Sequence, residues 1–133
     1  MAIRMKPTSY GPVFVRPTED GALRYGDTAA AIDQAHPPAG SPAEILLSAI
    51  GACMVLSIGI VAGRDGTPLN PFHVEVRATK SEQPPSHFGR YEVRVSGGLV
   101  PDPEAAETIA KQAKSICTIS NSLNGEIVLS VDE

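Results

Sequence analysis

The sequence has few aromatic residues, with no tryptophan, three tyrosines and three phenylalanines among its 133 positions. Because 42% of the residues are nonetheless hydrophobic, the core must be built mainly from aliphatic side chains. Positive charge is not in excess either, since 11 lysines and arginines stand against 15 aspartates and glutamates, for a net charge of −4. Proteins that bind nucleic acid through its phosphates carry clustered basic residues. We therefore expect no nucleic-acid partner.

The N-terminal sequence MAIRMKPTSYGP lacks an apolar segment of signal-peptide length. We therefore expect a cytoplasmic protein, where a permanent disulfide is disfavoured. One uncharged run, residues 45–63, is long enough to span a bilayer. Serines and glycines interrupt this run, and neither aromatic belts nor a basic anchor flank it. A buried helix without membrane contact is the better interpretation.

The remaining patterns predict strands and helices that alternate within one domain, residues 1–133. Asp20-Gly21 between two short apolar segments indicates a hairpin, and alternating apolar residues predict strands near 73–79 and 90–96. Ser41-Pro42 and Asp102-Pro103 are typical helix starts. The helix after Ser41 is apolar on nearly all sides, more than one small domain can cover. This predicts a homodimer in which a second copy covers the free face of that helix.

Two cysteines, Cys53 and Cys117, lie 64 residues apart, each in an apolar setting on a predicted helix. Such an arrangement permits two-cysteine redox chemistry. The alternative is that both thiols simply fill the core, because free cysteine is among the most buried residue types. The sequence around each cysteine favours the redox interpretation.

Cys53 follows Ser41-Pro42-Ala43-Glu44 and a long apolar run, and Cys117 begins the segment Cys-Thr-Ile-Ser-Asn-Ser-Leu. These segments resemble the two cysteine motifs of the OsmC/Ohr family, the osmotically inducible and organic hydroperoxide resistance proteins. In the first motif a proline, a glutamate and a run rich in leucine and alanine precede the cysteine, and the second motif is C-P-V-S-x-x-L. The resemblance covers roughly residues 40–131. It implies an α+β fold in which antiparallel sheets pack on a long buried central helix, within an intertwined homodimer.

The resemblance also implies an activity, the thiol-dependent reduction of organic hydroperoxides in defence against oxidative stress. In that chemistry Cys53 would attack the peroxide, Cys117 would form a disulfide with it, and a dithiol of the lipoyl type would restore both thiols. No further cofactor is implied. The alternative is a non-catalytic module of the same fold that binds a small apolar ligand.

Glu44 is a candidate supporting carboxylate for this chemistry, but it also fits the end of a capping box that begins at Ser41. It precedes Cys53 by nine residues, which places the two side chains on opposite faces of a helix. Counted from Pro42, the catalytic glutamate of the family falls on position 43, which is alanine here. This difference favours the binding module, whereas the two cysteines favour the enzyme.

The peroxidases of the family also use an arginine that holds the thiolate, because a nearby cation lowers the pKa of a cysteine. Arg4, Arg16 and Arg24 are available, and Arg16 is retained as a possible supporting residue although none lies in a matching motif. Ser120, three residues after Cys117, is a candidate hydrogen-bond donor to that thiol. The three histidines have no metal-ligand spacing with the cysteines, so we expect no metal site.

Overall fold

A computed structural model describes residues 8–132, and it combines one mixed β-sheet with three helices. The elements, in chain order, are β1 (Ser9–Pro17), β2 (Leu23–Gly26), α1 (Pro42–Arg64), β3 (His73–Lys80), β4 (Phe88–Ser96), α2 (Pro103–Ile116), α3 (Thr118–Asn121) and β5 (Glu126–Val131). This confirms the predicted α+β class.

The strands form a single five-stranded sheet in the order β2-β1-β3-β4-β5. The predicted hairpin is β1 and β2, which pair antiparallel around Asp20 and Gly21. The pairs β1–β3 and β3–β4 are also antiparallel, whereas β5 runs parallel to β4. The expected antiparallel pairing is therefore confirmed for three strand pairs, and the parallel pairing of β5 with β4 corrects it. A strand that returns to the same sheet through a crossover helix, here α2, runs parallel to the strand it left.

Both long helices begin where the sequence predicted. The Ser41 side chain accepts a hydrogen bond from the Glu44 backbone N–H at 3.4 Å, and Asp102 accepts one from the Glu104 N–H at 3.1 Å. Each cap is followed by proline at the first helical position, where no N–H is needed. These local interactions fix the starts of α1 and α2, and with them the positions of the residues that follow.

The core lies between α1 and one face of the sheet. Val13 and Val15 on β1 are fully buried there, and Gly51 lets α1 approach β1 closely. A Cβ atom at position 51 would lie 2.7 Å from Val15 Cγ2. Any larger residue at position 51 would therefore push the helix away from the sheet. The other fully buried large side chains of the core are Leu47, Ile50, Met54, Ile58, Val74, Val76, Val93, Val95 and Leu99.

The opposite side of α1 is not covered by the other residues of the described range, 8–132. Ile45, Leu56 and Ile60 expose 51%, 52% and 54% of their surface, respectively. Their spacing places all three on one side of the helix. Within residues 8–132, α1 is the one helix long and apolar enough to cross a membrane, but 56% of its most apolar window is buried inside the chain, as in the core helix of a soluble protein.

Candidate functional site

Cys53 lies near the middle of α1, eleven residues after the proline that begins the helix. Its side chain is partly buried and packs against the hydrophobic core. The thiol therefore sits at the boundary between the packed face of α1 and the face that the chain leaves open.

Cys117 occupies the junction between α2 and α3 and is completely buried. Its extended backbone, with φ −74° and ψ 99°, interrupts the helical path, and its N–H donates to the Lys114 carbonyl at 3.2 Å. The short α3 then carries Ser120 back over the thiol, where the Ser120 hydroxyl donates a buried hydrogen bond to Cys117 Sγ at 3.0 Å. The structure thus places Ser120 beside Cys117.

The fold brings the two thiols together, because α1 packs against both α2 and α3. Burial raises the pKa of the Cys117 thiol above its ordinary value, and the hydrogen bonds from Ser120 act in the opposite direction. The nearby Cys53 thiol raises the pKa of Cys117 further. Both cysteines are free thiols in this structure. The pair thus consists of one partly accessible thiol and one buried thiol that resists ionisation.

Glu44 lies in the first turn of α1, where its backbone N–H is held by the Ser41 cap. At about 1.5 Å of rise per residue, nine residues place it about 13 Å along the helix from Cys53 and on the opposite face. Ala43 is one residue farther away. A carboxylate at either position does not reach Cys53 of its own chain.

Arg16 lies near the end of β1, next to Val15. Since Val15 faces α1, the alternation of the strand turns Arg16 to the other face of the sheet, away from Cys53. There its Nε donates to the Ile32 carbonyl at 2.6 Å. Arg24 is paired with Arg16 across the hairpin, and Arg4 lies outside the described residues. Within residues 8–132, no arginine or lysine donates a hydrogen bond to either thiol.

One further buried hydroxyl lies one helical turn after Cys53, on Ser57, which the sequence alone did not single out. Ser57 is 4% exposed and follows Cys53 by one helical turn, on a neighbouring part of the same face. The C-x-x-x-S spacing in an apolar helix is the signal that points to it. Among residues 8–132, no three His, Cys, Asp or Glu side chains come together as a metal-ligand set.

The chain is similar to proteins of known sequence and structure. Residues 35–132 match the family model described as OsmC-like protein, whereas no curated protein matches the chain. An organic hydroperoxide resistance protein OsmC from Legionella pneumophila is 20% identical, with a TM-score of 0.58, covering 93% of this chain and 98% of that one.

Two further structures show the same fold. An OsmC-like protein from Mycoplasma pneumoniae is 16% identical, with a TM-score of 0.61, over 90% of this chain and 93% of that one. The organic hydroperoxide resistance protein OhrB of Bacillus subtilis is 16% identical, with a TM-score of 0.55, over 92% and 97% of the two chains. At these identities the likeness concerns the fold.

Proposed function

Because the chain belongs to the OsmC-like family, we propose that it is a thiol-dependent reductase of organic hydroperoxides that acts through Cys53 and Cys117. The observation that carries the proposal is the convergence of the two thiols, 64 residues apart in sequence, at the packed junction of α1 with α2 and α3. Similar structures from Legionella pneumophila and Bacillus subtilis are named as organic hydroperoxide resistance proteins, which supports the choice of substrate.

The difference in burial supports a different role for each thiol. Cys53, the more accessible one, attacks the terminal peroxide oxygen as a thiolate. The O–O bond breaks, the alkoxide takes a proton from solvent and leaves as the alcohol, and Cys53 becomes a sulfenic acid. Cys117 then attacks the Cys53 sulfur, with loss of water, and forms a disulfide. A dithiol reductant reopens this disulfide by exchange and is itself oxidised to a disulfide.

We propose further that the active form is a cytoplasmic homodimer. Ile45, Leu56 and Ile60 form an exposed apolar face on α1, next to partly buried Cys53. A contiguous exposed apolar face of this kind marks an interaction surface. A second copy seated on this face would shield the thiol from water.

A second candidate function is a binding module for small apolar ligands, and one observation favours it. Position 43 is alanine, and within residues 8–132 no cation contacts either thiol. A thiol without a neighbouring cation ionises less readily and reacts more slowly with peroxide. The reductase and the binding module would have the same fold and the same thiol pair, so a measurement of hydroperoxide turnover is needed to distinguish them.

The test is the consumption of cumene hydroperoxide by the full chain in the presence of dihydrolipoamide. We expect the parent to turn over, Cys53→Ser to be inactive, and Cys117→Ser to react once and then stop with an oxidised Cys53. Ser122→Ala is a matched surface control, because its hydroxyl bonds only to the Thr118 carbonyl. Equal consumption by the parent and Cys53→Ser would reject the enzyme in favour of the binding module.

A further inference from the structure

A cavity of about 690 Å³ opens between α2, the segment before it and β5. Part of its lining is apolar, from Val100, Ala106, Leu129 and Val131. Its volume lies within the range of small-molecule sites. Neither cysteine lines it, so the cavity is separate from the thiol pair described above.

The charged side chains around this cavity are paired, with one exception. Glu107 binds Lys111 at 2.9 Å, and Asp132 binds Arg94. Lys114 also lines the cavity and is partly buried, yet within residues 8–132 no carboxylate lies within 4 Å of its ammonium group. Within residues 8–132, one positive charge without a carboxylate partner therefore lies beside a partly apolar cavity.

We propose that this cavity binds a small amphipathic carboxylate. The apolar body of the ligand packs against Leu129 and Val131, and its carboxylate pairs with the Lys114 ammonium group. One unpaired cation matches a single negative charge, whereas Glu107 and Asp132 disfavour a ligand with two or more negative charges. This inference goes beyond the proposed redox function, because the cavity contains neither thiol.

The charge on Lys114 also has a structural explanation that the test must separate from binding. Lys114 lies in the last turn of α2, where a positive charge stabilises the helix through its dipole. The stability of each variant is therefore measured alongside ligand binding. Lys114→Arg keeps the positive charge both for the helix dipole and for the ligand carboxylate. This variant should therefore retain its affinity for the ligand if the charge at position 114 is what the ligand binds.

The experiment is calorimetric titration of the full chain with octanoate, with octanol and octylammonium as neutral and cationic probes of the same length. We expect one octanoate per chain and weaker binding of the other two probes. Lys114→Gln should weaken octanoate binding by about tenfold, the usual scale for losing a charged partner. Lys114→Glu should reverse the order of affinity, so that octylammonium binds more tightly than octanoate.

Lys80→Gln is the matched control, because Lys80 lies on β3 and does not line the cavity. It should leave octanoate binding unchanged, as should Cys53→Ser, which removes the proposed redox activity. Absence of octanoate binding overturns the proposal, and this is also the result expected if a second copy or another segment fills the cavity. Equal affinity for octanoate and octanol, or equal losses in Lys114→Gln and Lys80→Gln, overturns it as well.

Discussion

The hydrogen bond from Ser120 to Cys117 allows a direct test of how the fold changes the pKa of the Cys117 thiol. The Ser120 hydroxyl lies 3.0 Å from Cys117 Sγ in a buried setting, so it favours the thiolate over the thiol. Ser120→Ala removes this donor without adding bulk. A hydrogen bond to a charged group contributes about 1.5 kcal/mol, at the lower end of the range because sulfur is a weak acceptor.

A loss of about 1.5 kcal/mol makes ionisation of the Cys117 thiol about tenfold less favourable, so the pKa of Cys117 rises. Burial already raises this pKa, so the substitution moves it further from neutrality. At a fixed neutral pH the thiolate fraction then falls about tenfold. Disulfide closure onto oxidised Cys53 slows by a smaller factor, because a thiolate of higher pKa is more nucleophilic.

The direct assay is titration of the thiolate by its ultraviolet absorbance in a Cys53→Ser background, where Cys117 is the only thiol. Subtraction of the same titration for the Cys53→Ser, Cys117→Ser variant removes the tyrosine signal. We expect Ser120→Ala to move the midpoint upward and Ser122→Ala to leave it unchanged. A midpoint that stays in place or falls in Ser120→Ala would refute the assignment of Ser120 as a donor to the thiolate.

Three further predictions concern assembly, catalysis and pH. The chain should sediment as a dimer of the 13.9 kDa subunit, and Leu56→Glu should shift it to the monomer; a monomeric parent contradicts the proposed interface. Ala43→Glu should raise the rate of hydroperoxide consumption by about tenfold to a hundredfold, provided that an arginine lies within reach of the new carboxylate, and an unchanged rate argues against such an arginine. Burial lowers the pKa of His73, so the unfolded chain binds the proton more readily and stability should fall as the pH drops below about 6.5. Urea unfolding should show this loss in the parent but less of it in His73→Gln, and equal losses in both would assign the effect to another group.

The local features of the fold could be predicted from the sequence because they depend on short-range chemistry. Ser41-Pro42 and Asp102-Pro103 mark the helix starts, and Asp20-Gly21 marks the hairpin. The parallel pairing of β5 with β4 could not be predicted in this way. It depends on the path that α2 takes across the sheet, and the alternation within β5 alone does not determine that path.

In the candidate site, too, local features could be predicted from the sequence and long-range contacts could not. The resemblance to a family motif selected Cys53, Cys117 and Ser120, and the structure brings these three residues together. Spacing alone does not show that residues 64 positions apart will meet. The orientation of Arg16 could be predicted from the sequence. Val13 and Val15 face the core, and the alternation of side chains along a strand therefore turns Arg16 to the other face of the sheet. The place of Lys114 in the cavity, without a carboxylate partner among residues 8–132, becomes evident only when α2 is placed beside β5.

The central claim is that Cys53 and Cys117 act as one redox pair. The measurement that tests it most directly is intact mass analysis of the chain without added reductant, after one equivalent of cumene hydroperoxide. We expect the loss of two hydrogens per chain, a disulfide between Cys53 and Cys117 in the peptide map, and full recovery of both thiols with dihydrolipoamide. Independent oxidation of each cysteine to sulfinic or sulfonic acid, with no disulfide between them, would contradict the account.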